Sequence, residues 1–176
     1  MYTNVKNEKM KQMKRILAFS IAIVAFASAT FAQVSATANA TATIITPLAI
    51  TRTAHMDFGS LFVSTSPGTV VINPVTSTRS ATGGCTLVGA TVSPATFTVT
   101  GLPAAVYTIT LPGSAIITDG TNNLTVDTFT SDPTPTGTLT GGNSTLRVGA
   151  TLNVPASQTP GIYTSAAAFT VTVNYQ

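Results

Sequence analysis

From Val34 the chain alternates without a break. Val34, Ala36, Ala38, Ala40, Ala42 and Ile44 are apolar, and Ser35, Thr37, Asn39, Thr41 and Thr43 between them are polar. A period of two sends successive side chains to opposite faces of a strand. The pattern predicts a strand over 34–44 with one face of small apolar groups. Its partner lies either in its own domain or in another molecule. The same Ala/Thr composition also fits an unpaired N-terminal arm. Pro47 interrupts the pattern, and Leu48 and Ile50 resume it.

Further short runs follow, separated by turn residues. Residues 69–72 read as a strand between Pro67-Gly68 and Asn73-Pro74, and 75–84 as a polar loop closing on Gly83-Gly84. Residues 85–88, 96–100 and 106–111 are strand candidates; Phe97 and Val99 share a face, as do Tyr107, Ile109 and Leu111. Asp119-Gly120 between 116–118 and 123–130 predicts a hairpin, because its turn needs positive φ. Residues 131–136, with Pro133 and Pro135, read as a loop. In 145–154 the face Leu146, Val148, Ala150, Leu152 and Val154 is apolar throughout. After a loop at 155–160, a last strand runs from Gly161. Tyr163, Ala167, Phe169, Val171, Val173 and Tyr175 share one of its faces. Nine or ten closely spaced strands with no helical period predict an all-β fold of two packed antiparallel sheets.

The first 32 residues differ from the rest. Lys9, Lys11, Lys14 and Arg15 precede an apolar stretch at 16–31, and Thr30-Phe31-Ala32 ends in a small residue. That is the layout of a secretory signal, with cleavage expected after Ala32. The apolar stretch is shorter than the ~20 residues that span a bilayer. This divides the chain into a signal peptide at 1–32, an N-terminal extension or donor strand at 33–46, and a β-sandwich domain at 47–176. The mature part is predicted to contain no transmembrane segment.

Removing the leader also changes the charge. Five of the eight cationic side chains go with it, leaving Arg52, Arg79 and Arg147 against Asp57, Asp119, Asp127 and Asp132. The basic balance therefore belongs to the leader, and a phosphate-neutralising nucleic-acid surface is excluded. The remainder has neither Lys nor Glu, but 33 Thr and all 13 Gly and 10 Pro, which favours strands and turns over helices.

Chemistry is sparse. His55 is the single histidine and hence the single base for a hydrolytic triad; Arg52 and Asp57 lie near it in sequence. Zinc is not expected with one Cys and one His, and the spacing of Asp119, Asn122, Asn123 and Asp127 does not fit an EF-hand. Cys85 has no partner for an intrachain disulfide and reads as a small buried hydrophobe or a turn residue. No cofactor, no metal and no enzymatic activity are expected.

Three stretches carry a resemblance: Val148-Gly149-Ala150-Thr151-Leu152-Asn153-Val154, Gly161-Ile162-Tyr163, and Phe169-Thr170-Val171-Thr172-Val173-Asn174-Tyr175. Together they look like a family of secreted bacterial domains of unknown function. Asp57-Phe58-Gly59, Gly68-Thr69-Val70 and Tyr107-Thr108-Ile109-Thr110-Leu111-Pro112 fit the same pattern in order. More distantly, the Phe-Gly after a first strand, the final Gly-x-Tyr strand and the penultimate Tyr175 are similar to spore coat U domains and chaperone–usher fimbrial subunits. The paired cysteines common in the latter are absent here.

The resemblance implies an incomplete immunoglobulin-like sandwich, completed by a strand from a periplasmic chaperone and then from the next subunit. It implies Val34, Ala36, Ala38, Ala40, Ala42 and Ile44 as the donated face. Tyr163, Phe169, Val171, Val173 and Tyr175 become the groove and C-terminal strand. The expected function is a structural subunit of a surface fibre, pilus or coat, exported to the periplasm and cell surface. Its expected partners are copies of itself or related subunits, a periplasmic chaperone and an outer-membrane usher. A monomeric surface module binding carbohydrate or protein is the alternative.

Overall fold

The computed structural model describes residues 7–15, 33–89 and 91–176, and falls into two units, Met1–Thr43 and Ile44–Gln176. In the first, residues 7–15 are helical and exposed, with Lys11 paired to Glu8 at 3.6 Å. The apolar stretch 16–31 and the expected cleavage point after Ala32 lie outside the described residues. No described helix is long and apolar enough to cross a membrane.

Residues 33–48 carry no strand, and every one of them up to Pro47 is exposed. The strand predicted over 34–44 therefore does not form within this chain. Its period-2 pattern is real, but a lone strand leaves its backbone groups unpaired, and its alanines bury too little surface to fold alone.

The described residues of the second unit form eleven strands. They are β1 (Ala49–Ala54), β2 (Ser60–Asn73), β3 (Thr78–Val88), β4 (Ala95–Thr100), β5 (Val106–Thr110), β6 (Ser114–Thr118), β7 (Asn123–Asp132), β8 (Thr136–Thr138), β9 (Asn143–Val154), β10 (Thr164–Ser165) and β11 (Thr172–Tyr175). All pairings are antiparallel. Eight strands form one sheet around β9. Along one edge β9 pairs first with β4 and then with β2; along the other it pairs with β7. β1 extends the sheet beyond β4, β3 pairs with β2, and β6 and β10 extend it beyond β7. The second sheet has β5 in the middle, flanked by β11 and β8.

β9 holds the two halves of the core together. Its inner face is the one read from the alternation: Leu146 and Val148 are 0% exposed, Ala150 1%, Leu152 2% and Val154 4%. Leu146 and Val148 join Ala95 and Val99 of β4 against Tyr107, Leu139 and Val171, which come from the small sheet and its flanks. Ala150, Leu152 and Val154 belong instead to a second cluster with Val70, Cys85, Leu124 and Val126. Met56 and Phe129 pack against both clusters. Each fully buried Leu or Val contributes about 1.5–3 kcal/mol. Between the two groups on β9 lies Gly149. A side chain there would run into the Ile72 carbonyl and the Pro74 ring, where β2 ends.

Several elements differ from the sequence reading. The stretch 75–84 is not a polar loop, since β3 begins at Thr78 and runs through Gly83-Gly84 to Val88. The glycines allow a wide bulge: residues 64–67 of β2 loop out opposite Gly84, whose missing side chain makes room for Ser64 and Ser66. The short strand expected at 69–72 is thus the second half of a longer β2. Residues 131–136 are not all loop, because β7 reaches Asp132 and β8 starts at Thr136. The single last strand is two: β10 pairs with β6 in the large sheet, and β11 with β5 in the small one. The chain changes sheets across 166–171, where Ala166, Ala167 and Ala168 are exposed. Small alanines carry no large side chain that would hold either face down.

Candidate functional site

An outer strand of each sheet lies on one flank of the core. Among the described residues β1 pairs only with β4, and β11 only with β5. Both contribute to the same cluster. Ile50 of β1, Leu48 just before it, and Val173 and Tyr175 of β11 pack against its buried residues, yet all four stay half-buried. Phe169 lies there too, its ring tilted 49° against Phe129 at 5.1 Å. Open strand edges of this kind are where extended segments can add to a sheet.

The C-terminal residues are firmly set. Val173 pairs with Ile109 and Tyr175 with Tyr107, and the Gln176 N–H extends the ladder to the Val106 carbonyl at 3.1 Å. The Tyr175 hydroxyl accepts from the Leu102 N–H at 2.7 Å and donates to the Thr46 carbonyl at 2.8 Å. Gly101 makes this possible, because a side chain there would meet that hydroxyl and lie within 3.2 Å of Leu48.

The structure divides the residues expected to line a groove. Phe169, Val171, Val173 and Tyr175 belong to the flank cluster. Tyr163 packs in the other cluster, and its hydroxyl donates to the Thr159 carbonyl at 2.7 Å and accepts from the Gln158 amide. The proposed donor residues Val34, Ala36, Ala38, Ala40, Ala42 and Ile44 are exposed, Val34 at 94% and Ile44 at 98%. Leu48 and Ile50, which the sequence showed only as a resumed alternation, are part of the flank.

Elsewhere, several polar side chains are engaged by backbone. The Ser93 hydroxyl donates to the His55 carbonyl at 2.8 Å, and the Asp57 carboxylate accepts from the Gly59 N–H at 2.7 Å. Asp119 closes the β6–β7 hairpin, taking the Thr121 and Asn122 N–H groups on one oxygen and the Asn122 side-chain amide on the other. The Asn122 side chain, then the Asn122 and Thr121 backbone, hold this carboxyl well below the usual carboxylate range. Cys85 is buried, and burial pushes its thiol up. Among the described residues no cluster of three or more His, Cys, Asp or Glu is placed to hold a metal ion.

Sequence reasoning missed Arg79. Its guanidinium donates to the Phe58 and Ser60 carbonyls and, at 2.6 and 3.0 Å, to those of Val88 and Gly89. It thereby ties the start of β2 to the end of β3. Carbonyl acceptors leave no charge partner in the sequence to signal this role. An open depression of about 420 Å³ lies beside the β2 bulge, lined by residues such as Pro67, Thr69, Thr82, Asn153 and Pro155. Its lining includes no aromatic ring on which a sugar could stack.

Fold and site together define an all-β sandwich in which an edge strand from each sheet, β1 and β11, borders one core cluster. The chain belongs to the family described as Domain of unknown function (DUF4402), whose model matches residues 48–175. No curated protein and no solved structure matches it. The family match begins at Leu48, where the core begins, and ends at Tyr175.

Proposed function

We propose that this chain is a non-enzymatic structural subunit of a surface fibre, pilus or coat, assembled by strand donation between copies. Residues 34–44 of one copy would enter the flank between β1 and β11 of the next. One combined observation carries this reading. The domain has an apolar flank bordered by two edge strands, and the chain also carries an exposed segment with strict period-2 alternation and no strand partner among the described residues. Filling such a flank head to tail is a heterologous contact, which propagates as an open filament. The leader read from the sequence would deliver the chain to the periplasm. There a chaperone would cover the flank before an usher passes the subunit outward, as in the incomplete immunoglobulin-like subunits the sequence resembles.

The test compares two versions of the chain by sedimentation and thermal unfolding. One is residues 33–176. The other lacks 33–46 and carries a copy of that segment after Gln176 on a flexible linker. The first is expected to polymerise, and the second to be a stable monomer. A first version that stays a stable, cooperative monomer over a wide concentration range would refute the proposal and leave a monomeric binding module as the reading.

A further inference from the structure

The alternating segment has two destinations, the flank of its own domain or that of a neighbour. We infer that the Tyr175 hydroxyl is a latch that decides between them: it fixes the exit of the N-terminal segment so that residues 34–44 serve a second copy of this chain. The inference rests on the assembly reading above and names the residue that sets its direction.

The geometry is local and specific. Tyr175, at the end of β11, accepts from the Leu102 N–H in the β4–β5 turn and donates to the Thr46 carbonyl, 129 residues away in sequence. One hydroxyl thus joins the end of the chain, a turn, and the segment leading into β1. Thr46 precedes Pro47, which disfavours the helical region and keeps Thr46 extended. Pro47 fixes its own φ. Leu48 then anchors its side chain in the core. Three successive residues are therefore held where the extension joins the domain.

Folding back into its own flank would require a reversal between Ile44 and Ala49. Tight reversals between antiparallel strands use about two to five residues. The reversal would have to be built from 45–48, where the latch ties Thr46, Pro47 has a fixed φ and Leu48 is anchored in the core. No turn is formed there. A segment arriving from a second copy meets no such constraint. The phenol thus raises the cost of self-completion and leaves donation between copies unaffected.

The experiment uses residues 33–176 as wild type, Tyr175→Phe and Pro47→Gly. Tyr175→Phe keeps the ring in the core and removes both hydrogen bonds. Pro47→Gly loosens the same linker without touching β11, and it carries the test if the first variant destabilises the domain. The polymer fraction is read by sedimentation, and hydrogen exchange is followed at the Leu102 amide and across 34–44. In Tyr175→Phe, Leu102 exchange should rise and the polymer-to-monomer ratio fall by about fivefold, the size expected for the one lost hydrogen bond that tethers the extension at Thr46. The monomers formed should show 34–44 protected, and Pro47→Gly should shift the ratio the same way.

If the wild type and both variants polymerise equally, the latch is refuted and the assembly reading stands. A wild-type monomer with 34–44 already protected shows self-completion with the hydroxyl bonds intact, which also refutes it. Should the wild type stay monomeric with 34–44 unprotected, the assembly reading fails and takes the latch with it.

Discussion

At the scale of single residues, the chemistry of this chain is mostly the satisfaction of backbone groups. Asp119, Arg79, Ser93 and Tyr175 each direct a polar side chain at main-chain N–H or C=O groups. Asp119 has a measurable consequence. Its carboxylate is favoured in the folded state, so its pKa lies below that of the unfolded chain, ~4. The stabilisation is therefore fully present above that range and is lost as the pH falls through and below it. Urea midpoints measured from about pH 6 down to about pH 2 should fall for the wild type and fall less steeply for Asp119→Asn. Asp119-Gly120 was legible in the sequence as a turn, and Gly120 does adopt φ of 95°. The Tyr175 contact was not. A penultimate aromatic can be seen in a sequence, but nothing local to it indicates a partner at Thr46.

Individual elements show where periodicity suffices and where it misleads. β9 could be read in full, because one of its faces is apolar from Leu146 to Val154 and all of that face is buried. The same rule overreached after Gly161. The alternation continues in sequence while the chain passes from one sheet to the other, so Tyr163 and Val173 end in different clusters. At Gly83-Gly84 the opposite error occurred: two glycines that read as a loop accommodate a bulge within β3. The alternating faces that hold the residues proposed for donation and for the flank were legible in the pattern, but their roles came from the resemblance, and their spatial relation depends on which sheet each strand joins. β9 also makes a testable link between the two clusters. Leu146→Ala and Leu152→Ala each empty one of them and should each cost about 2–5 kcal/mol. Because one strand carries both residues, each variant should shift a single unfolding transition, with fluorescence and circular dichroism coinciding. Two separated transitions in either variant would show that the clusters melt independently.

For the molecule as a whole, residues 33–176 carry three arginines and four aspartates, so little charge is available there to drive association. Assembly by backbone pairing and apolar burial should therefore change little between about 50 and 500 mM salt, a range over which screening weakens contacts between exposed charges. Sedimentation at both ends of that range tests this, and a steep loss of polymer at high salt would point to a charged interface instead. The position of the flank has one more consequence. In a fibre built as proposed, tension would enter each subunit through Thr46–Leu48 and β1 and leave through the strand held between β1 and β11. Both points bear on the cluster shared by β1, β4, β5 and β11. The β2–β3 and β6–β7 hairpins would lie off that line of pull, free to vary in shape without weakening the cable.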